Sequence, residues 1–151
     1  MAGARGAYFK ATNALAFDQE AQRIRAKYGS RGFDWYVTIL CALINQGDGT
    51  LDVSDDEGWG YLSSLLYEST ADEAAEFCSY LARRGLLNAD MLGDGVLCSQ
   101  LVQSGIAEYD RFAKAGRASG AARRRKAAED SEQRSEQRSS NVPNSKKVIN
   151  E

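Results

Sequence analysis

Along the first 112 positions apolar residues recur mostly at helical spacing, and after Phe112 the large ones are reduced to Val142, Val148 and Ile149. Ala21, Ile24 and Tyr28 lie three or four apart, Asp18 stands ahead of them and Gly29 behind, which predicts a helix over about 19 to 28. Phe33, Tyr36, Ile39, Leu40, Leu43 and Ile44, widened by Trp35, make the broadest stripe and predict a central core helix over about 32 to 46. Gly47-Asp48-Gly49 ends it, and Thr50-Leu51-Asp52-Val53 alternates as a short strand does. Ser54 with Glu57 three residues on has the form of a capping box. It opens a helix to about Tyr67 carrying Trp59, Leu62, Leu65 and Leu66. Ser69 or Thr70 caps the next helix, about 71 to 84, whose face is Ala74, Phe77, Cys78, Leu81 and Ala82 and whose stop is Gly85. Leu86-Leu87-Asn88-Ala89 and Gly95-Val96-Leu97-Cys98 flank Gly93-Asp94-Gly95 as a β-hairpin would. A last helix over about 100 to 114 carries Leu101, Val102, Ile106, Tyr109 and Phe112.

From residue 32 the order is helix, short strand, helix, helix, strand, turn, strand. That is the order of a mainly α winged helix-turn-helix, with an extra amino-terminal helix and a small hairpin wing; a four- or five-helix bundle without a wing is the alternative. The expected organisation is one winged-helix-like domain over residues 8–112 followed by a basic tail over 113–151. Within the tail, about 113–128 reads as fraying helix or coil. Residues 129–151 have too few groups to bury to offset the entropy of ordering, and read as disordered. The S-E-Q-R echo at Ser131–Arg134 and Ser135–Arg138 is too short for a repeat fold.

Charge sharpens this division. The net charge of −2 conceals nine Lys/Arg against sixteen Asp/Glu up to Phe112, a net of −7, and ten against five beyond it, a net of +5. A basic tail on an acidic body points to nucleic acid or another polyanion. The chain has no histidine, so histidine-based triads, histidine-containing zinc sites and imidazole switches are excluded. Cys41, Cys78 and Cys98 are far apart and sit among apolar neighbours, as reduced thiols of a cytoplasmic protein do. Met1 to Lys10 lacks the apolar core of a signal peptide, and no stretch approaches a membrane span.

Tyr8-Phe9-Lys10, the stretch Arg25-Ala26-Lys27-Tyr28-Gly29-Ser30-Arg31-Gly32-Phe33-Asp34-Trp35-Tyr36 and the basic run from Gly116 to Lys126 resemble the amino-terminal winged-helix domain of phage and prophage replisome-organiser proteins, the DnaD-like replication initiation group. The likeness covers roughly residues 8 to 126, and it implies a replication protein whose winged helix self-associates or docks a partner. Two departures are visible. Ala11-Thr12-Asn13 replaces the Asp, Ser or His types expected after the Tyr-Phe pair, and the chain ends at Glu151 without the second helical domain of longer relatives.

Six positive charges and no negative ones lie between Ala113 and Ala128: Lys114, Arg117, Arg123, Arg124, Arg125 and Lys126. These are the expected DNA contacts, through phosphates and without sequence preference. With no aromatic among them, base stacking is not expected from the segment; a solvated linker and an acidic protein partner are its other readings. In a helix-turn-helix the second helix enters the groove by its amino-terminal end, but here that end carries Asp72, Glu73 and Glu76, and the candidate wing adds Asp90 and Asp94. Carboxylates there are also ordinary dipole partners. Arg23, Arg25, Lys27 and Arg31 offer a second basic surface or a solvated face, with 23 and 27 on one side of the helix. Tyr8, Phe9 and the Trp59–Tyr61 segment are either core or an exposed interface patch. Asp48 to Glu57 fails the spacing of a calcium loop, and no glycine pair completes a phosphate loop. The expected function is therefore a non-enzymatic, cofactor-free, metal-free replication initiation accessory, with a body for self-association or partner docking and a tail for DNA. The alternative is a protein–protein adaptor that does not bind DNA.

Overall fold

The computed structural model describes Leu15 and residues 18–141. The chain is mainly helical with one small sheet, and divides into two compact units, one up to Asp110 and one from Arg111 onward. Among the described residues six helices and two strands follow one another: α1 Gln19–Tyr28, α2 Ser30–Asn45, β1 Thr50–Asp52, α3 Asp56–Leu65, α4 Ala71–Arg83, α5 Ala89–Gly93, β2 Val96–Cys98 and α6 Gln100–Ser140.

The first unit is assembled around α2. Trp35, Tyr36, Ile39, Leu40 and Leu43 are buried against Ile24 of α1, Leu62 of α3, and Phe77, Cys78 and Leu81 of α4, with Leu97 of β2 and Val102 of α6 closing the core. This is the central helix that the broad stripe predicts. Phe77 meets the rings of Tyr28 at 5.0 Å and Trp35 at 5.4 Å, both edge-on, the arrangement that aromatic quadrupoles favour. The Trp35 indole donates to the Tyr67 carbonyl at 2.8 Å, which joins α2 to the turn after α3.

Local chemistry explains where most elements start and stop. Gly29, at φ 75, ends α1 by donating to the Arg25 carbonyl at 2.8 Å and leads straight into α2. Asp18 stands at the start of α1 without a side-chain capping bond. Gly32 is buried inside α2, where any side chain would strike the Cβ of Tyr28. The α3 cap is Asp55, which accepts from the Gly58 amide at 2.9 Å; the expected box from Ser54 does not form, because the Ser54 amide is taken by Asp52. For α4 the capping box is Thr70 with Glu73. Its far end is a Schellman turn: the Leu86 and Gly85 amides return to the Leu81 and Ala82 carbonyls, with Gly85 at φ 74.

Two expectations give way here. Residues 86–89 form no strand, and the expected hairpin is reduced to one backbone bond, from the Asn88 amide to the Cys98 carbonyl at 2.8 Å. The Schellman turn consumes the Leu86 amide, and the Asn88 side chain accepts from the Met91 amide at 3.0 Å, which caps the one-turn helix α5. The partner of β2 is instead β1, antiparallel, with Thr50 opposite Cys98, Leu51 opposite Leu97 and Asp52 opposite Val96. The tail expected to be frayed and then disordered is helical to Ser140. Its Ala, Arg, Lys, Gln and Glu residues are strong helix formers even where no apolar stripe exists. Residues 142–151 of the expected tail, and the aromatic pair Tyr8 and Phe9, lie outside the described residues.

Candidate nucleic-acid interface

The six cations singled out in the sequence all lie on α6 within the second unit, and all are exposed. Among the described residues none of the six forms an ion pair. At about 100° per residue, Lys114, Arg117, Arg124 and Arg125 fall within an arc of about 100°, while Arg123 and Lys126 point to other sides. From 114 to 126 the helix rises about 18 Å, close to five base-pair steps of a duplex. The structure thus places four of the six on one face and spreads the other two around it.

In the first unit the acidic end of α4 is as the sequence suggests. Asp72, Glu73 and Glu76 are exposed, and Glu73 is tied into the Thr70 box, its carboxylate accepting from the Thr70 amide at 3.0 Å. Asp90 lies in α5 and Asp94 is its C-cap, so neither belongs to a wing. Tyr61, Leu65 and Tyr67 are exposed, Tyr61 at 48% and Tyr67 at 67%, whereas Trp59 packs against the core.

The first unit brings three of its cations, Arg23, Lys27 and Arg84, to one cleft at the opposite end of α4, whereas Arg31 lies 3.9 Å from Glu68, just ahead of the acidic start of that helix. Arg23, Arg25 and Lys27 of α1, Arg31 in the first turn of α2, and Arg83 and Arg84 at the end of α4 are all of its described Lys and Arg residues. Of these, Arg25 lies 4.2 Å from the Phe33 ring centre and Arg31 4.9 Å from that of Trp35. Arg23, Ala26 and Lys27 line a shallow open cleft of about 400 Å³ with Tyr80 and Arg84 of α4. Glu20 spans its edge. One carboxylate oxygen accepts from Arg23 and from Arg84, each at 2.8 Å, and the other from Nε of Arg84 at 3.0 Å. The Lys27 ammonium rests over the Tyr80 ring at 4.5 Å. Tyr28 packs edge-on to Tyr80 beneath, and burial followed by the nearby Glu76 charge raises its phenol above the ordinary value. Arg23 and Lys27 were legible as one face in the sequence. Glu20, Tyr80 and Arg84 were not, because 64 positions separate Glu20 from Arg84 and no local pattern links them.

The profile of one protein family, described as Lin1244/Lin1753-like, N-terminal, matches residues 8–102. The chain belongs to that family. The matched stretch of the Lin1244/Lin1753-like domain takes in α1 to β2 and the first residues of α6, so the α1–α4 cleft lies inside it and the six cations of 114–126 lie beyond it. Neither the comparison with curated proteins nor that with solved structures gave a match. No helix among the described residues of this Lin1244/Lin1753-like chain is long and apolar enough to cross a membrane.

Proposed function

We propose that the protein is a non-enzymatic, DNA-associated accessory of replication initiation, of the replisome-organiser kind, which holds DNA by phosphate contacts from α6 and uses its first unit for assembly. The observation that carries the reading is the exposed face of Lys114, Arg117, Arg124 and Arg125, flanked by Arg123 and Lys126, with no carboxylate between Ala113 and Ala128. A helical array of unpaired cations displaces counterions from a duplex or single strand and gives affinity without sequence reading. The acidic start of α4 supports the same reading, since it disfavours docking of that helix in a groove. The chain's order of helices with a strand before α3 and a strand after α5, paired to each other, is compatible with a winged-helix relative whose wing is reduced.

The test is binding of the full chain and of a 1–112 truncation to labelled single- and double-stranded DNA between about 50 and 200 mM salt. Four phosphate contacts on a duplex predict a loss of about a hundredfold across that range. The truncation should lose most of the affinity. No binding by the full chain at low salt would overturn the proposal. A second reading, a protein–protein adaptor, is favoured by the exposed Tyr61, Leu65 and Tyr67; an association through that patch would be largely insensitive to the same salt series.

A further inference from the structure

The first unit carries an excess of acid, yet three of its six described cations, Arg23, Lys27 and Arg84, converge on one end of α4 and the side of α1 packed there. A helix C-terminus attracts a cation through its dipole, which suffices for Arg83 in the last turn of α4. It does not require Arg84 to meet Arg23 and Lys27 from another helix across one cleft. Their arrangement around Glu20 is more telling. The carboxylate is gripped in a fork, two bonds from Arg84 and one from Arg23, which is the geometry in which guanidinium groups receive planar or tetrahedral oxyanions. Lys27 adds a third charge, partnered by ring faces at 4.5 and 5.3 Å. Glu20 uses only part of the N–H donors of the two guanidinium groups, so the cleft retains donors as well as positive charge.

The form of the cleft narrows the ligand. A small metabolite needs a concave site that encloses most of its surface, and this cleft is shallow and open. A phosphate that belongs to a long chain needs no enclosure, because neighbouring contacts hold it in place. The pairs that Glu20 makes are only partly shielded, with the side chains of Glu20 and Arg84 exposed by 23% and 35%. Exposed ion pairs of this kind contribute little to stability, so an incoming anion can take the place of the carboxylate at small cost to the fold.

We propose that the cleft between α1 and α4 is a second nucleic-acid backbone site, in which phosphate oxygens replace the Glu20 carboxylate on Arg84 and Arg23 while Lys27 contacts a neighbouring phosphate. This rests on the reading of the protein as DNA-binding and adds to it a contact surface on the body, inside the part of the chain that matches the family profile. Glu20 is then an internal competitor for the site. The cleft lies at the end of α4 opposite its acidic first turn, about 20 Å along a helix of thirteen residues. The acidic turn therefore need not approach the strand that the cleft holds.

The test uses the full chain with a labelled duplex and a labelled single strand of the same sequence. Glu20→Gln should tighten binding about threefold or more at 50 mM salt. Asp90→Asn, which changes net charge equally but sits on α5, should move it much less. The double variant Arg23→Ala/Arg84→Ala should weaken binding about tenfold and lower the salt slope by roughly two, near 0.9 per lost duplex contact. Thermal unfolding of each variant separates lost contacts from lost fold. If Glu20→Gln behaves like Asp90→Asn and the double variant binds as the parent does, the cleft is not a phosphate site, although binding through α6 still stands. If the parent itself does not bind either strand, the DNA reading falls and the cleft with it. Displacement by poly-glutamate as effective as that by DNA of equal charge would assign the cleft to acidic peptides and overturn the proposal.

Discussion

A methyl group added at Gly32 has nowhere to go: it meets the Cβ of Tyr28, with Ile24 behind it. The two helices approach so closely there because one residue has no side chain, and that approach sets the position of Tyr28 over Phe77 and Tyr80. Gly32→Ala should therefore destabilise the first unit by about 1–3 kcal/mol, seen as a fall in the thermal midpoint by circular dichroism. Gly47→Ala, with open space around the new atom, should leave the midpoint nearly unchanged and so serves as the control. In the sequence Gly32 looks like a turn glycine that follows Gly29. Only the packing of one helix on its neighbour distinguishes it, and Tyr28 is the neighbour.

Among the elements, α6 departs furthest from its sequence reading. Gly116 and Gly120 are its weakest helical positions in the basic segment, and no other atoms crowd either of them. Replacing both by Ala should favour the helix by about 0.8–1.0 kcal/mol per site and raise the 222 nm ellipticity of the full chain. If either glycine is needed to let DNA approach the backbone, affinity will drop in the same variant; we expect it to stay within about twofold, because the contacts expected are from side chains. The legibility of the elements follows the same logic of range. α4 is readable almost to the residue, since Thr70, Glu73 and Gly85 act on their own neighbours and the stripe from Ala74 to Leu81 is regular. The short helix α5 was hidden because Leu86 and Leu87 suggest a strand, while Asn88 decides the matter by capping through one side-chain bond. The basic segment is legible as a charge cluster, but which of its residues share a face depends on the segment being helical, and no apolar stripe announces that helix.

Taken whole, the molecule has unusually little chemistry near neutral pH. It contains no histidine, and the shifted groups move away from the neutral range. Hydrogen bonds from the Thr50 amide and hydroxyl hold the Asp48 carboxyl below its ordinary 3.8, and bonds from Ser54 do the same for Asp52. Burial raises the phenols of Tyr28 and Tyr36, in both cases as the leading cause, and pushes the Cys78 thiol up to about 12. A lowered carboxyl contributes stability above its unfolded value, and that stability is lost as the pH falls through the native one, here below 3.8. The raised Tyr and Cys groups contribute below their unfolded values of 10.0 and 9.0, and the contribution is lost as the pH rises beyond them. Stability and DNA affinity should thus both be flat between about pH 5.5 and 8 apart from the terminal amine. Unfolding midpoints and binding isotherms across that range would expose any slope. The sheet sets a different constraint on the whole. β1 and β2 meet across 44 to 48 positions, from Asp52 to Val96 and from Thr50 to Cys98, and the loop they close contains α3, α4 and α5. On a growing polypeptide, α1 and α2 can pair as soon as both have left the ribosome, but the clasp must wait for Cys98. Until then the core face of α2, with Ile39, Leu40 and Leu43, lacks its β2 cover, and the nascent chain carries a sticky surface of the sort chaperones attend to.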